Sequence, residues 1–175
     1  MTGMAICRMA VMQRITGRIG KNGMQKGSMH MNDRKMVLDG MMGLVIGDAL
    51  GCPVQFLNRE ELRERGAVTE MEGYGTYNMP PGTWTDDSSM ALATLASINE
   101  RNGIDLRDIM ERFLDWEFHG AYTPFGKAFD EGNTCSNAIY KYRDSHDLTT
   151  CGETGEYSNG NGALMRILPV CLYFI

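Results

Sequence analysis

Residues 83–101 read TWTDDSSMALATLASINER, and this run decides the architecture. Thr83-Trp84-Thr85-Asp86-Asp87-Ser88 places a hydroxyl and two adjacent carboxylates directly before a helical pattern. Met90, Ala91, Thr94, Leu95 and Ile98 then recur at helical spacing, so the run predicts a helix over Asp87–Arg101. Asn102-Gly103 closes it, since both residue types accept the left-handed conformation of a helix end. Oxygen donors of the Thr85, Asp86 and Asp87 kind suit a hard cation such as Mg²⁺. Adjacent helical residues diverge by about 100°, so the three meet one ion only if the chain bends there. Pro80-Pro81-Gly82 supplies a bend. Asp at a helix start is also an ordinary cap, and both roles can hold together.

Outward from this run the same period recurs. Arg34–Leu50 predicts a helix with Val37, Met41, Leu44 and Asp48 on one face. Gly40, Gly43, Gly47 and Gly51 form a second stripe on it, for which close approach of another backbone is the expected reason. Asp48 falls near that helix's C-terminal end, where the dipole disfavours a carboxylate unless a partner such as Arg166, or a metal, offsets it. Arg59–Arg65 predicts a short charged helix, and residues 66–83 a long loop rich in Gly and Pro. Asp105 caps a further helix, with Asp108 at the capping-box position and Leu106, Ile109, Met110, Phe113 and Trp116 as the buried stripe. Residues 119–133 predict a loop, Thr134–Arg143 a helix, and residues 144–162 a polar loop before a last apolar helix. Period-2 alternation and internal repeats are absent. The expected fold is therefore all-α: a compact helical bundle with long functional loops.

Composition bounds the function. Of 175 residues, 43% are hydrophobic and 22% charged, as in a soluble globular domain large enough for a real core. The net charge of −5 leaves no basic face for nucleic acid. No apolar run is expected to reach the roughly 20 residues of a membrane helix. Cys7, Cys52, Cys135, Cys151 and Cys171 are scattered and odd in number, which favours reduced thiols in a cytoplasm over disulfides or zinc. Nothing in the composition bears on oligomeric state.

The ends stand apart. Residues 1–30 carry Arg8, Arg14, Arg18, Lys21 and Lys26 and no acid, which leaves −10 on the remainder. Residues 1–31 are expected to be a disordered leader or an extension from an early start codon, with the domain at 32–175. The run Ile167–Ile175 ends apolar, with no cap and no polar tail. A domain stopping there is expected to leave that run with nothing to pack against, so the chain is read as part of a longer protein.

Two flanking segments give the chemistry its context. Gly47-Asp48-Ala49-Leu50-Gly51 lies upstream, and Ser158-Asn159-Gly160-Asn161-Gly162 lies before a helix downstream. Glycines there let backbone N–H groups approach an anion such as a diphosphate, and a plain loop is the alternative. Tyr122-Thr123-Pro124-Phe125-Gly126 offers an aromatic wall beside a ligand, or a surface turn.

Gly47–Phe56, Gly82–Ser88, Gly132-Asn133-Thr134 and Gly160–Arg166 together resemble the ADP-ribosylglycohydrolase family, of the kind that reactivates dinitrogenase reductase, over about residues 36–175. The resemblance implies the N-terminal portion of an all-α domain carrying two Mg²⁺ (or Mn²⁺) ions. It implies metal-activated water cleaving the glycosidic bond between ADP-ribose and a protein side chain, or a related ADP-ribose conjugate. Thr85, Asp86 and Asp87 would be metal ligands, and Asp86 would couple metal binding to water activation. Phe125 and Gly126 would lie over the ligand, and Ser158, Asn159, Gly160 and Asn161 would hold the diphosphate. Gln55 stands at a catalytic position where many members carry Glu, and an amide cannot act as a base. A second metal motif, Asp-x-Asp-Thr, would lie beyond Ile175. The 175 residues alone are therefore expected to bind Mg²⁺ poorly and turn over little. Two other classes stay open: a non-catalytic relative that binds ADP-ribose, and a Mg²⁺-dependent phosphohydrolase built on Asp86 and Asp87.

Overall fold

A computed structural model describes residues 31–175. The elements run α1 Met31–Gly51, a 3-10 turn Cys52–Val54, α2 Arg59–Arg65, α3 Asp86–Arg101, α4 Leu106–His119, α5 Asn133–Ser145, α6 Gly162–Met165 and α7 Leu168–Tyr173. There is no strand among the described residues, as expected of an all-α chain. The expected leader lies outside the described residues except for Met31, which opens α1.

Helix α3 is the axis of the bundle. It packs most extensively on α4 and α7 and also meets α1 and α6. Its burial is wider than the five-residue face the sequence suggested. Ser88, Ser89, Met90, Ala91, Leu92, Ala93, Thr94, Ser97 and Ile98 are all buried, while Leu95 is only half-buried. Small side chains let helices close in from several sides. Two of their hydroxyls are satisfied within the helix itself, Ser89 Oγ on Thr85 O (2.8 Å) and Thr94 Oγ1 on Met90 O (2.9 Å). Around α3 the core gathers Met41, Val45 and Ala49 of α1, Ile109, Phe113 and Trp116 of α4, and Cys135 and Ile139 of α5.

Several expectations are corrected here. By length and composition α1 would pass as a membrane span, contrary to the reading that no apolar run is long enough. Its Met41, Val45 and Ala49 stripe lies in the core, while the rest of the helix whose side chains are described is half-buried or exposed. Its glycines do not touch another backbone: Gly40 lies under Leu172 Cδ1, and a Cβ on Gly43, Gly47 or Gly51 would meet nothing within 4 Å. The segment after the polar loop forms two short helices, α6 and α7, rather than the one expected, and the apolar C-terminal run makes up the second. It does pack, with Pro169 buried and Leu168 and Leu172 against the core, although Phe174 and Ile175 stay exposed. Leu106 is exposed rather than part of the α4 stripe.

Asp105 caps α4 as expected, accepting from the N–H groups of Arg107 (3.0 Å) and Asp108 (3.1 Å). Asp108 does not close a capping box. Its carboxylate accepts from Arg101 Nε (2.8 Å) and Arg112 Nε (2.7 Å). The box forms instead at α2, between Asn58 and Glu61. Arg112 also donates to Glu100 (2.7 Å) and to the Tyr122 hydroxyl (2.7 Å), tying α3, α4 and the following loop together. Burial alone would push Asp108 up, but its hydrogen bonds from Arg112 and Arg101 overrule that and bring it to about 2. Its folded value lies below its unfolded one. Its contribution is therefore present above pH ~4 and is lost as pH falls through about 2. Asp108→Ala takes the more buried of Arg112's two carboxylate partners and leaves it Glu100 and the Tyr122 hydroxyl. It is expected to cost about 3 kcal/mol, or roughly 10 °C in a thermal melt at pH 7.

Candidate metal centre

The site begins with how Thr85–Ser88 is presented. Pro81-Gly82 is the centre of a turn closed by Thr83 N–H to Pro80 O (3.2 Å), with Gly82 at φ +79° as a type II turn requires. Trp84 is buried, and its Nε1 donates to Tyr122 O (3.0 Å), anchoring the turn in the core. Thr85 is extended and caps α3 through Oγ1 to the Asp87 N–H (3.3 Å). Asp86 and Asp87 are thus the first two helical residues, so the bend expected from Pro80-Pro81-Gly82 is present. The helix opens one residue earlier than expected, at Asp86.

Asp48 explains the run around it. It arrives at the end of α1 and accepts four donors from the start of α3. These are Thr85 N–H (3.0 Å), Thr85 Oγ1 (2.9 Å), Ser88 N–H (3.1 Å) and Ser88 Oγ (2.5 Å). The positive end of α3 offsets the unfavourable end of α1. Arg166, expected as a partner, lies elsewhere. Its guanidinium stacks over Phe113 (4.9 Å) and donates to Cys135 Sγ (3.2 Å).

The carboxylates of Asp86, Asp87 and Asp130 converge, with one oxygen from each within 4.8 Å of the others. Burial, then the charges of Asp130, Asp87 and Asp48, push Asp86 up to about 8. Burial raises Asp48 and Asp87 as well. Such a cluster holds its negative charges at a cost that a cation would remove, and its donor set is all oxygen, as hard cations prefer. Cys52 stands close by, but burial and the charges of Asp48 and Asp130 push its thiol to about 11, so it stays neutral. A cleft of about 310 Å³ opens beside the cluster, lined by Asp48, Gly51, Cys52, Gln55 and Asp87 among others.

Asp130 was missed by sequence reasoning. It sits in the 120–132 loop at φ +68°, and only the fold carries it to Asp86 and Asp87. The available signal was the pair Asp130-Glu131, the first acids after an acid-free stretch and directly before Gly132-Asn133-Thr134. Gln55 donates its amide to Asp130 Oδ1 (3.0 Å), which places it at the cluster as a hydrogen-bond donor.

The remaining candidates are spread wider. Gly160 packs on Thr134, where a Cβ would come within 2.6 Å of Oγ1, and Gly162 packs on Cys135. The 158–162 loop therefore lies on the N-terminal turn of α5, four residues beyond Asp130. That helix start has no side-chain cap, and Gly132 O takes the Cys135 N–H (3.0 Å), which leaves the N–H groups of Asn133 and Thr134 without a partner in the helix. Asn159 turns back to Glu156 O (3.0 Å), Ser158 is half-buried, and Asn161 is exposed. Phe125 is 57% exposed, and Gly126 at φ +75° closes a turn against Gly120. No contact joins Phe125 or Gly126 to the carboxylates among the described residues.

Comparison with known proteins adds the following. The family profile described as ADP-ribosylglycohydrolase matches residues 29–174. An ADP-ribosyl-[dinitrogen reductase] glycohydrolase of Rhodospirillum rubrum is 37% identical over 136 residues, covering 77% of this chain and 43% of the relative. An ADP-ribosylarginine hydrolase of Serratia proteamaculans is 36% identical over 133 residues, covering 76% and 35% respectively. A solved ADP-ribosylglycohydrolase-related protein complex superimposes with a TM-score of 0.61 at 35% identity, over 79% of this chain and 42% of its own. The chain thus spans about two-fifths of the length of these relatives.

Proposed function

The chain belongs to the ADP-ribosylglycohydrolase family, and on that premise we propose that it serves divalent-cation-dependent hydrolysis of the glycosidic bond between ADP-ribose and a protein side chain or small conjugate. The observation that carries this reading is the convergence of Asp86, Asp87 and Asp130 beside an open cleft. Asp86, Asp87 and Asp130, with Thr85 adjoining, would hold Mg²⁺ or Mn²⁺. Bound there, the cation would supply Lewis acidity that lowers the pKa of a water molecule.

The chain's own residues do the rest. Asp48 keeps Thr85 and Ser88 in register, so that the two carboxylates leave the helix start together. Asp86, raised to about 8 by burial and its acidic neighbours, would be a ligand whose charge a cation would offset. Carboxylates around the anomeric carbon stabilise the positive character that develops there as the bond breaks. The start of α5, with Gly160 packed on Thr134 and Ser158, Asn159 and Asn161 in the same loop, would suit the diphosphate.

Gln55 favours a second reading, a relative that binds ADP-ribose without cleaving it. Its amide occupies a position at the cluster where a carboxylate would be a base. The two readings separate on one experiment. The protein is incubated with ADP-ribosyl-arginine and ADP-ribosyl-serine peptides in Mg²⁺, in Mn²⁺ and in EDTA, and ADP-ribose binding and release are both followed. Release that EDTA stops is the expected result where an Asp-x-Asp-Thr run completes the site, with only weak release from the 175 residues alone. Binding with no release from either linkage would move the assignment to the binding reading, and absence of both would overturn the two together.

A further inference from the structure

The loop between α2 and α3 carries one side chain into the carboxylate cluster. It is fastened to the 3-10 turn at Cys52–Val54 by several contacts. Thr76 N–H donates to Pro53 O (3.1 Å) and Thr76 Oγ1 to Gln55 O (2.6 Å). Gly75 lies so close that a Cβ there would come within 1.9 Å of Pro53 O, so only glycine fits. This docking turns the next aromatic, Tyr77, inward. Its ring stands edge-on between Phe56 (6.2 Å) and Phe129 (5.2 Å). Its hydroxyl donates to Asp130 Oδ1, the same oxygen that accepts from Gln55 (3.0 Å). Oδ2 takes no hydrogen bond from the described residues.

Asp130 needs such holding. It sits at φ +68° in a loop, outside any helix that would fix it, whereas Asp86 and Asp87 are set by the start of α3. Tyr77 grips the same short segment twice, by its ring on Phe129 and by its hydroxyl on Asp130. Gln55 reaches the same oxygen from the end of the 3-10 turn.

We propose that Tyr77 is a positioning residue of the centre: with Gln55 it clamps one oxygen of Asp130, so that this carboxylate stays beside Asp86 and Asp87 to complete the cation site. The proposal rests on the reading of those three carboxylates as ligands, and it gives the Gln at position 55 a donor's role in place of a base's.

The test is a double-mutant cycle on Mn²⁺ affinity, read by titration of the free-ion paramagnetic resonance signal. The proteins are wild type, Tyr77→Phe, Asp130→Asn and the double variant. Tyr77→Phe keeps the ring and its contacts with Phe56 and Phe129, so a purely packing role would leave affinity unchanged. The expected result is a weakening of about tenfold, the low end of what loss of a partner behind a ligand costs, and no further weakening in the Asp130→Asn background. Equal weakening in both backgrounds, or none in either, overturns the proposal. If wild type binds no Mn²⁺, the ligand reading fails, and the part of the proposal that completes a cation site fails with it. The clamp itself is then decided by melting the same four proteins in EDTA. A Tyr77→Phe shift that vanishes in Asp130→Asn supports the clamp, and additive shifts sink it.

Discussion

Asp86→Asn is expected to weaken Mn²⁺ binding at least ~100-fold and to abolish cation-dependent ADP-ribose release, while raising the melting temperature of the cation-free protein. The two effects have one cause. Asp86 is almost fully buried and faces Asp87, Asp130 and Asp48, so its charge is held against both burial and repulsion. Its value of about 8 in the folded chain lies well above the ordinary 3.8 of the unfolded one. The folded state therefore binds the proton more tightly. The stability this group contributes is full below pH ~4 and is lost as pH rises through about 8. Asparagine keeps the volume and removes the charge. The gain at pH 8 is on the order of 2 kcal/mol, or roughly 4–8 °C, and it shrinks toward pH 5. A saturating cation should stabilise wild type by mass action and leave the variant unmoved. A variant that melts below wild type at pH 8 in EDTA would show that the charge is not a burden on the apo fold, and the argument for a cation there would lose its electrostatic half.

The helices were legible because amphipathic period and caps are local signals. Asp105 and Asn102-Gly103 mark their ends from sequence, and Met41, Ile109, Phe113 and Trp116 fall on buried faces. What was not legible is what tertiary structure decides. Helix α3 is buried over most of its surface, yet its serines, threonine and alanines carry too little hydropathy contrast to announce it. Asp108 looks like a capping-box acid, but two arginines compete for it and win, since charge-assisted hydrogen bonds outweigh a backbone N–H. Asp86 and Asp87 could be singled out as neighbours in sequence. Asp130 and Tyr77 are reached only through loops whose docking depends on Gly75 and on the turn at Gly120. Nothing periodic precedes such contacts. Gln55 was noted as a departure that removes a base, while its partner Asp130 became visible only in three dimensions.

Asp48→Ala should have the opposite sign in stability, although burial raises both carboxylates. The difference lies in hydrogen bonds. Among the described residues Asp86 accepts from the Asp87 N–H (3.1 Å) and gains a weaker hydrogen bond from Thr85, while the charges that face it are acids. Asp48 accepts four, two of them from backbone N–H groups in the first turn of α3 that have no partner within the helix. Alanine leaves those donors without their acceptor. The expected cost is about 3 kcal/mol, seen as a loss of roughly 10 °C in melting temperature. Asp48→Asn should cost less, because one oxygen still accepts while the amide N–H₂ meets donors. Since α3 also starts the ligand run, Asp48→Ala should weaken Mn²⁺ binding without removing any of the three converging carboxylates, and Ser88→Ala should reproduce part of that loss through Asp48 alone. If Asp48→Ala melts within 2 °C of wild type, a difference under about 1 kcal/mol, then α3 is held by its apolar contacts. The carboxylate at the end of α1 would then have to be explained as a direct participant in the site.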